Sequence, residues 1–423
     1  MPARPVILVV YDRGSASLLD IVDGLEPLGT PVLALWPSPH TEEIAPFAEE
    51  LARVVHLDPY DHDASAERLR ACAPDAIVTF CESRQPETAA LAERLGLRYH
   101  TPATVELLRD KYAQRRRLRE RGADSVRTHL LASPADWAPA LAAVGLPAVL
   151  KPARGEGSRS THLVQTPAQG AALARELLGD PAEGPLVLEE FLVGQDRLPF
   201  GDHVSVESAV TAGRVHHWAV TGKFPLAPPF REVGHLRPAP LADDERAACL
   251  DVVTAALTAL GITTGITHTE LKLTADGPRL IEVNGRLGGF QTQLAALEGD
   301  FDAITLAGRV ALGEDVSDVR ARDERVVFAR AVPSPAEGGT YGGVRGLREA
   351  LAVEGVTNVI TPYSPGAPLP PGVHTGELAW IEGAVTDHAT MFAVIERTLG
   401  ALSFLVEGPD GAYVVEAAPA PAA

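Results

Sequence analysis

The chain has 423 residues, 46% of them hydrophobic and 22% charged, which excludes a disordered chain and predicts roughly two to three domains with sizeable cores. A formal charge of −19 disfavours nucleic acid or an anionic membrane as the main partner, although local cations can still gather a nucleotide. Cys72, Cys81 and Cys249 form no Cys-x-x-Cys pair and no apolar run reaches membrane-spanning length, so a reducing cytoplasmic setting is expected.

From the N-terminus to about residue 105, strand and helix patterns alternate. Strands are expected at Val6–Val10, Val32–Trp36, Val54–Leu57 and Ala76–Phe80, and helices at Ser17–Leu25, Ala64–Cys72 and Pro86–Leu95. This is a doubly wound α/β pattern on a parallel sheet. No Gly-x-Gly-x-x-Gly follows the first strand, so no dinucleotide site is expected. Glu82 stands at the carboxyl end of the fourth strand, where such sheets collect ligands. It could hold a substrate amino group or simply open the next helix. Residues 103–121 read as one charged helix, with the run Arg115-Arg116-Arg117 on a solvated face and Lys111 able to reach a phosphate.

The segment Pro147 to Thr161 delivers Lys151 on a short strand, then Gly155, Gly157 and Ser158 in a loop whose amides can cradle an anion. The lysine precedes the glycines, so this is not a Walker A loop. Leu186 to Gly194 runs an apolar strand into Glu189, Glu190, Phe191 and Leu192, a segment able to offer backbone groups to an adenine edge. Taken singly, a flexible turn and a surface strand explain these two segments as well. Val204–Glu207 and Val215–Thr221 read as antiparallel strands, and Asp243–Leu260 as a helix.

A hairpin follows. Ile266, His268, Glu270 and Lys272 alternate with Thr267, Thr269, Leu271 and Leu273; Leu280, Glu282 and Asn284 alternate with Arg279, Ile281 and Val283. A three-residue Ala275-Asp276-Gly277 loop pairs Glu270 with Glu282, whereas a two-residue Asp276-Gly277 loop slips the carboxylates to opposite faces. The three-residue loop is expected. It gathers Glu270, Glu282 and Asn284, hard ligands suited to Mg²⁺ that is also held by phosphates, with Arg286 beyond them to stabilise anionic oxygens. The alternative is an exposed hairpin with an acidic solvent face.

Residues 326–423 read as a C-terminal α+β region. Strands are expected at Arg325–Val332, His374–Trp380, Ser403–Leu405 and Ala412–Val415, helices at Val344–Leu351 and Thr386–Gly400, and a proline-rich loop at Tyr363–Val373. No chemistry is evident there, His374 reads as structural, and the Ala/Pro tail is expected to fray.

The ordered series Asp110-Lys111, Lys151 with its glycine loop, Glu189 to Leu192, Ser205-Val-Glu207, Thr221-x-Lys223, Glu270 and Glu282-Val-Asn-Gly-Arg286 resembles the ATP-grasp superfamily. Thr221-Gly-Lys223, Phe230-x-Glu-x-Gly-His235 and His268-Thr-Glu-Leu-Lys272 are most similar to its L-amino acid ligase group. The resemblance implies a pre-ATP-grasp α/β domain over 1–105 and an ATP-grasp domain over 106–325, followed by the C-terminal region. The ATP-grasp domain would have two α+β subdomains, the small one at about 125–190 and the large one from about 191.

It implies an ADP-forming ligase that joins an amino acid to an amine through an acylphosphate. ATP would meet Lys111, Lys151, Lys223, the loop Gly155, Gly157 and Ser158, Glu189 at the adenine amino group, and Glu190, Phe191 and Leu192 beside the ring. Asp202 would hold the ribose, with Asp196 as the other candidate beside an apparent insertion at 195–200. Two Mg²⁺, or Mn²⁺ in their place, would sit on Glu270, Glu282 and Asn284. Arg286 would hold the acylphosphate, His235 and Glu82 would lie near the substrates, and Phe290 with Gly288 and Gly289 would shape the amino-acid pocket. Small-molecule partners and a homodimer are further implications. An ATP-grasp carboxylase or formyl-phosphate-type enzyme would share every ATP residue, and a regulatory ATP-binding module without turnover is a reading of another class. A zinc hydrolase lacks a second ligand cluster, and a serine hydrolase lacks its Gly-x-Ser-x-Gly elbow.

Overall fold

A computed structural model of the chain describes residues 4–299, 301–372, 376–408 and 411–416. The expected strand start at His374 lies outside the described residues, as does the Ala/Pro tail. The N-terminal sheet is wholly parallel, in the order Arg53–His56, Thr30–Leu35, Val6–Tyr11, Ala76–Val78. Ser17 caps the first helix, Leu18–Leu25, by accepting from the Asp20 amide. A helix that the apolar pattern does not reveal, Pro39–Leu51, opens on a Ser38–Thr41 capping box.

The charged stretch 103–121 is two helices rather than one, Pro102–Arg109 and Lys111–Glu120. Asp110 is extended between them and accepts from the Ala113 amide, so an N-cap interrupts what the charge pattern presents as continuous. The break puts Lys111 in the first turn of the second helix, its amide donating to Ala153 O.

A four-stranded antiparallel sheet orders Thr128–Leu131, Leu186–Glu190, Ala148–Pro152 and His162–Val164. Helices Trp137–Val144 and Pro167–Leu178 cover it around a core of Leu131, Ala140, Leu150 and Leu188, all fully buried. The large sheet has eight strands, in the order Gly277–Asn284, Gly265–Thr274, His203–Thr211, Arg214–Lys223, Gly234–Arg237, Val326–Pro333, Glu377–Val385, Val356–Ile360. Its last three strands come from beyond residue 325, so the C-terminal region continues this sheet. A separate sheet orders Pro368–Leu369, Gly339–Arg345, Ser403–Gly408 and Gly411–Glu416. Residues 339–345 are therefore strand where a helix from Val344 is expected, and the helix is confined to Leu347–Leu351 after left-handed Gly346.

Helix Ala303–Leu312 ties the parallel sheet to the large one. Its Ile304, Leu306 and Val310 share one buried cluster with Ile21 and Leu25 of the first helix and with Ala209, Trp218 and Ile266 of the large sheet. Burying each such large side chain contributes about 1.5–3 kcal/mol. This docking turns the segments that follow strands Val6–Tyr11 and Ala76–Val78, at their carboxyl ends, toward a cavity shared with the small antiparallel sheet and the eight-stranded sheet.

Candidate functional site

The cavity is about 480 Å³. The small sheet contributes Lys151 and the segment Glu189 to Leu192, and the hairpin contributes Glu270, Glu282 and Asn284.

The hairpin reaches the expected pairing by another route. Thr274 pairs with Gly277 across a two-residue Ala275-Asp276 turn, a register that by itself would set Glu270 opposite Ile281. A β-bulge at Ile281 restores it, and Glu270 then faces Glu282 while His268 faces Asn284. The three-residue loop is thus corrected, while the cross-strand carboxylate pair stands.

Arg115 secures the bulge. It is 3% exposed, and it corrects the expectation of a solvated arginine face. All five of its N–H groups donate: two to Glu189 at 3.0 and 3.3 Å, one to Asp124 at 3.0 Å, and one each to the carbonyls of Leu280 at 2.9 Å and Ile281 at 2.5 Å. Neighbouring carbonyls of a regular strand point to opposite edges, so one side chain reaching both is a mark of the bulge. Gln114 completes the edge by exchanging two hydrogen bonds with the Val283 backbone, each 2.9 Å.

Glu189 is engaged on both oxygens, by Arg115 and by Lys151 Nζ at 2.9 Å. Burial pushes its carboxyl up, but the two cations outweigh this and hold it at about 2. It therefore orients Lys151 while lining the cavity. The Glu190 side chain turns to Arg127 and Arg279, at 2.6 and 3.2 Å. Leu192 lines the cavity, and its backbone N–H has no partner among the described residues.

Lys111 Nζ donates to Gly155 O at 2.7 Å and lies 3.4 Å from Glu282, joining the glycine loop to the hairpin. Gly155, Gly157 and Ser158 line the cavity there. Arg286 pairs through Nε with Glu82 at 3.1 Å, and its Nη2 faces Glu156 of the loop at 3.7 Å. Glu82 opens a short helical turn and also lines the cavity. Burial raises its carboxyl against the pull of Arg286.

Three expected residues do not reach the cavity wall. Lys223 is 1% exposed and donates to Glu232 at 2.6 Å. Asp202 accepts from Lys272 at 2.6 Å, and Lys272 is the residue that lines the cavity. Gly288 packs on His268, whose Nδ1 would lie 2.3 Å from an added Cβ, whereas Gly289 faces open space.

Glu232 and His268 also line the cavity. His268 bridges Glu207, 2.9 Å from each oxygen, to Glu270 at 3.3 Å. Although burial favours its neutral form, the carboxylates raise it to about 9. Glu232 stands three residues before His235, and a carboxylate beside a histidine in the quoted 230–235 segment was its only sequence signal. Burial and Lys223 press His235 down to about 3, so it is neutral at pH 7. It stacks on Phe290, with ring centroids 5.5 Å apart, and Phe290 meets Trp380 at 3.7 Å.

Among the described residues no group of three His, Cys, Asp or Glu is arranged to hold a metal by itself. Two facing carboxylates and an amide nonetheless fit Mg²⁺, which usually takes one or two carboxylates and completes its shell with phosphate and water.

Residues 144–293 match the family model described as the ATP-grasp domain. The chain is 29% identical over 234 residues to alanine–anticapsin ligase of Bacillus subtilis, covering 52% of this chain and 49% of that protein. It is 28% identical over 276 residues to carnosine synthase 1 of Homo sapiens, covering 58% of this chain and 32% of that protein. The chain thus spans about half and about a third of these two relatives. Among solved structures, an L-amino acid ligase from Bacillus licheniformis superposes with a TM-score of 0.78 at 22% identity, over 96% of this chain and 100% of that one. The chain thus carries an ATP-grasp domain match over residues 144–293 and is similar in sequence to amino-acid ligases and in fold to an L-amino acid ligase.

Proposed function

We propose that the protein is an ADP-forming ligase that joins an amino acid to an amine, a second amino acid by preference, through an acylphosphate. The carrying observation is that cross-strand Glu270 and Glu282 face one cavity with Lys111, Lys151 and Arg286. Phosphoryl transfer needs positioned cations more than covalent chemistry. Lys111 and Lys151 neutralise the phosphates, the loop Gly155 to Ser158 shields them from water, and the Leu192 amide meets the adenine edge. A substrate carboxylate oxygen bonds to the γ-phosphorus as the bridging bond to ADP breaks. The amine then attacks the acyl carbon, phosphate leaves, and the nitrogen loses a proton. Arg286 donates to the anionic oxygens of both steps. Glu82 and His235 border the substrates, and Phe290 beside Gly289 sizes a side chain.

Glu270, Glu282 and Asn284 would hold two Mg²⁺, or Mn²⁺, whose chemistry is charge neutralisation on the phosphates. The division at residues 105 and 325, a cytoplasmic setting and a homodimer belong to the same reading. The described residues include no helix long and apolar enough to cross a membrane.

Measuring ADP release with paired amino acids, with mass detection of product, tests it. Dependence on two amino acids and an amide product are expected. Dependence on bicarbonate would move the protein to the carboxylases, and nucleotide binding without turnover would make it a regulatory module.

A further inference from the structure

We infer that Arg13 recognises the carboxylate of the amine-donating substrate, so that this substrate is an amino acid and not a simple amine; the inference rests on the ligase reading. Arg13 follows strand Val6–Tyr11 and lines the cavity. Every other lysine and arginine lining the cavity already has an acidic partner. Lys111 has Glu282, Arg115 has Glu189 and Asp124, Lys151 has Glu189, Arg159 has Glu183, Lys272 has Asp202 and Arg286 has Glu82. Among the described residues the Arg13 guanidinium has none. Asp12, next in the chain, instead pairs with Arg84 at 3.7 Å and accepts from Ser38 Oγ at 3.0 Å.

The Arg13 backbone is fixed, although its side chain is exposed. Its amide donates to Asp12 Oδ1 at 2.8 Å and its carbonyl accepts from Cys81 Sγ at 2.9 Å. Gly14 packs so closely that an added Cβ would lie 2.3 Å from Phe80 O, and the Ser15 amide donates to that same oxygen at 2.9 Å. These ties hold Arg13 against the residues that lead into Glu82, the partner of Arg286.

The chemistry then narrows. Of the two carboxylates that enter a dipeptide synthesis, one is phosphorylated and consumed, and the other survives in the product. The surviving one meets a cavity rich in glutamates, where an unpaired guanidinium is its natural partner. A simple amine would leave Arg13 without a task.

The test uses the full chain with L-amino acids offered as amine donors, either as free acids or as their primary amides, under saturating ATP and the acid substrate. The wild type is expected to prefer free acids by about tenfold in kcat/KM, the worth of one charge-assisted hydrogen bond. Arg13→Gln should erase that preference by raising KM for the free acids, with KM for ATP unchanged, and Arg13→Lys should restore part of it. ADP release with an acid-to-amide ratio unchanged by Arg13→Gln, or a wild type indifferent to the amide, overturns this inference alone. No ADP release with any pair overturns the ligase reading and this inference with it.

Discussion

Two arginines face one cavity and differ in what they have left to offer. Arg115 has all five N–H groups engaged by protein oxygens. Among the described residues Arg286 makes a single hydrogen bond, from Nη1 to Leu287 O at 3.1 Å, beside ion pairs with Glu82 and, at 3.7 Å, Glu156. A saturated guanidinium holds the wall in place, whereas an unsaturated one is available to a ligand. Charge and burial do not separate the two, since both are cationic and sequestered. The count of unengaged donors does: it leaves Arg115 nothing to offer a ligand and leaves Arg286 donors for the chemistry proposed for it.

The largest effect that would break this contrast is on stability. Arg115→Ala leaves Glu189 and Asp124 without their common cation and two bulge carbonyls without a donor. Loss of one partner of a buried ion pair costs about 3–5 kcal/mol. Chemical denaturation should show that drop, and a variant as stable as the parent would remove Arg115 from the architecture.

Acid should act on the same cluster. Glu189 is held at about 2 against an ordinary carboxylate value of 4.5, so the folded state takes up its proton later than the unfolded chain. Its contribution is complete above about pH 5 and is lost as pH falls toward 2, amounting to about 3 kcal/mol. Stability of the wild type relative to Glu189→Gln should therefore shrink through that window. A difference that stays flat from pH 7 to 3 would contradict the pairing.

Around Arg286 the effect should be kinetic. Arg286→Ala is expected to slow turnover about a hundredfold, as for a lost oxyanion contact, with ATP affinity and melting temperature near those of the parent. Steady-state ADP release and calorimetric ATP binding separate these readouts. Normal turnover would strip Arg286 of its role.

The sequence announced one of these arginines and hid the other. Arg286 follows a strand of period two, where Glu282 and Asn284 already mark a ligand face. Arg115 sits in a run of three arginines, and a charge run carries no record of which member turns inward. Its partner Glu189 is far away in sequence, Asp124 lies past the end of Arg115's own helix, and the bulge that needs Arg115 arises from a turn one residue shorter than expected. The same holds elsewhere. The parallel sheet was readable because its strands are continuous apolar runs. The joining of strands Val326–Pro333 and Glu377–Val385 to the large sheet was not, because edge-to-edge pairing leaves no periodic trace. Lys223 carries its motif lysine into the core, where a sequence pattern cannot distinguish support from contact.

The smallest effect concerns selectivity around Arg286. Phe290 holds a left-handed backbone, with φ of 62°, and its ring meets both neutral His235 and Trp380. Gly289 beside it opens onto free space, and both residues line the cavity. Phe290→Ala should remove the bulk of the ring and expose the face of Trp380 as a deeper, still apolar wall. Acceptance of larger uncharged amino acids is expected to rise about tenfold relative to small ones, the scale of apolar pocket discrimination. The change should appear in kcat/KM ratios, while KM for ATP holds. An unaltered profile would mean that the ring supports His235, which would make it the aromatic counterpart of Arg115: a residue that faces the cavity and is already taken by its neighbours.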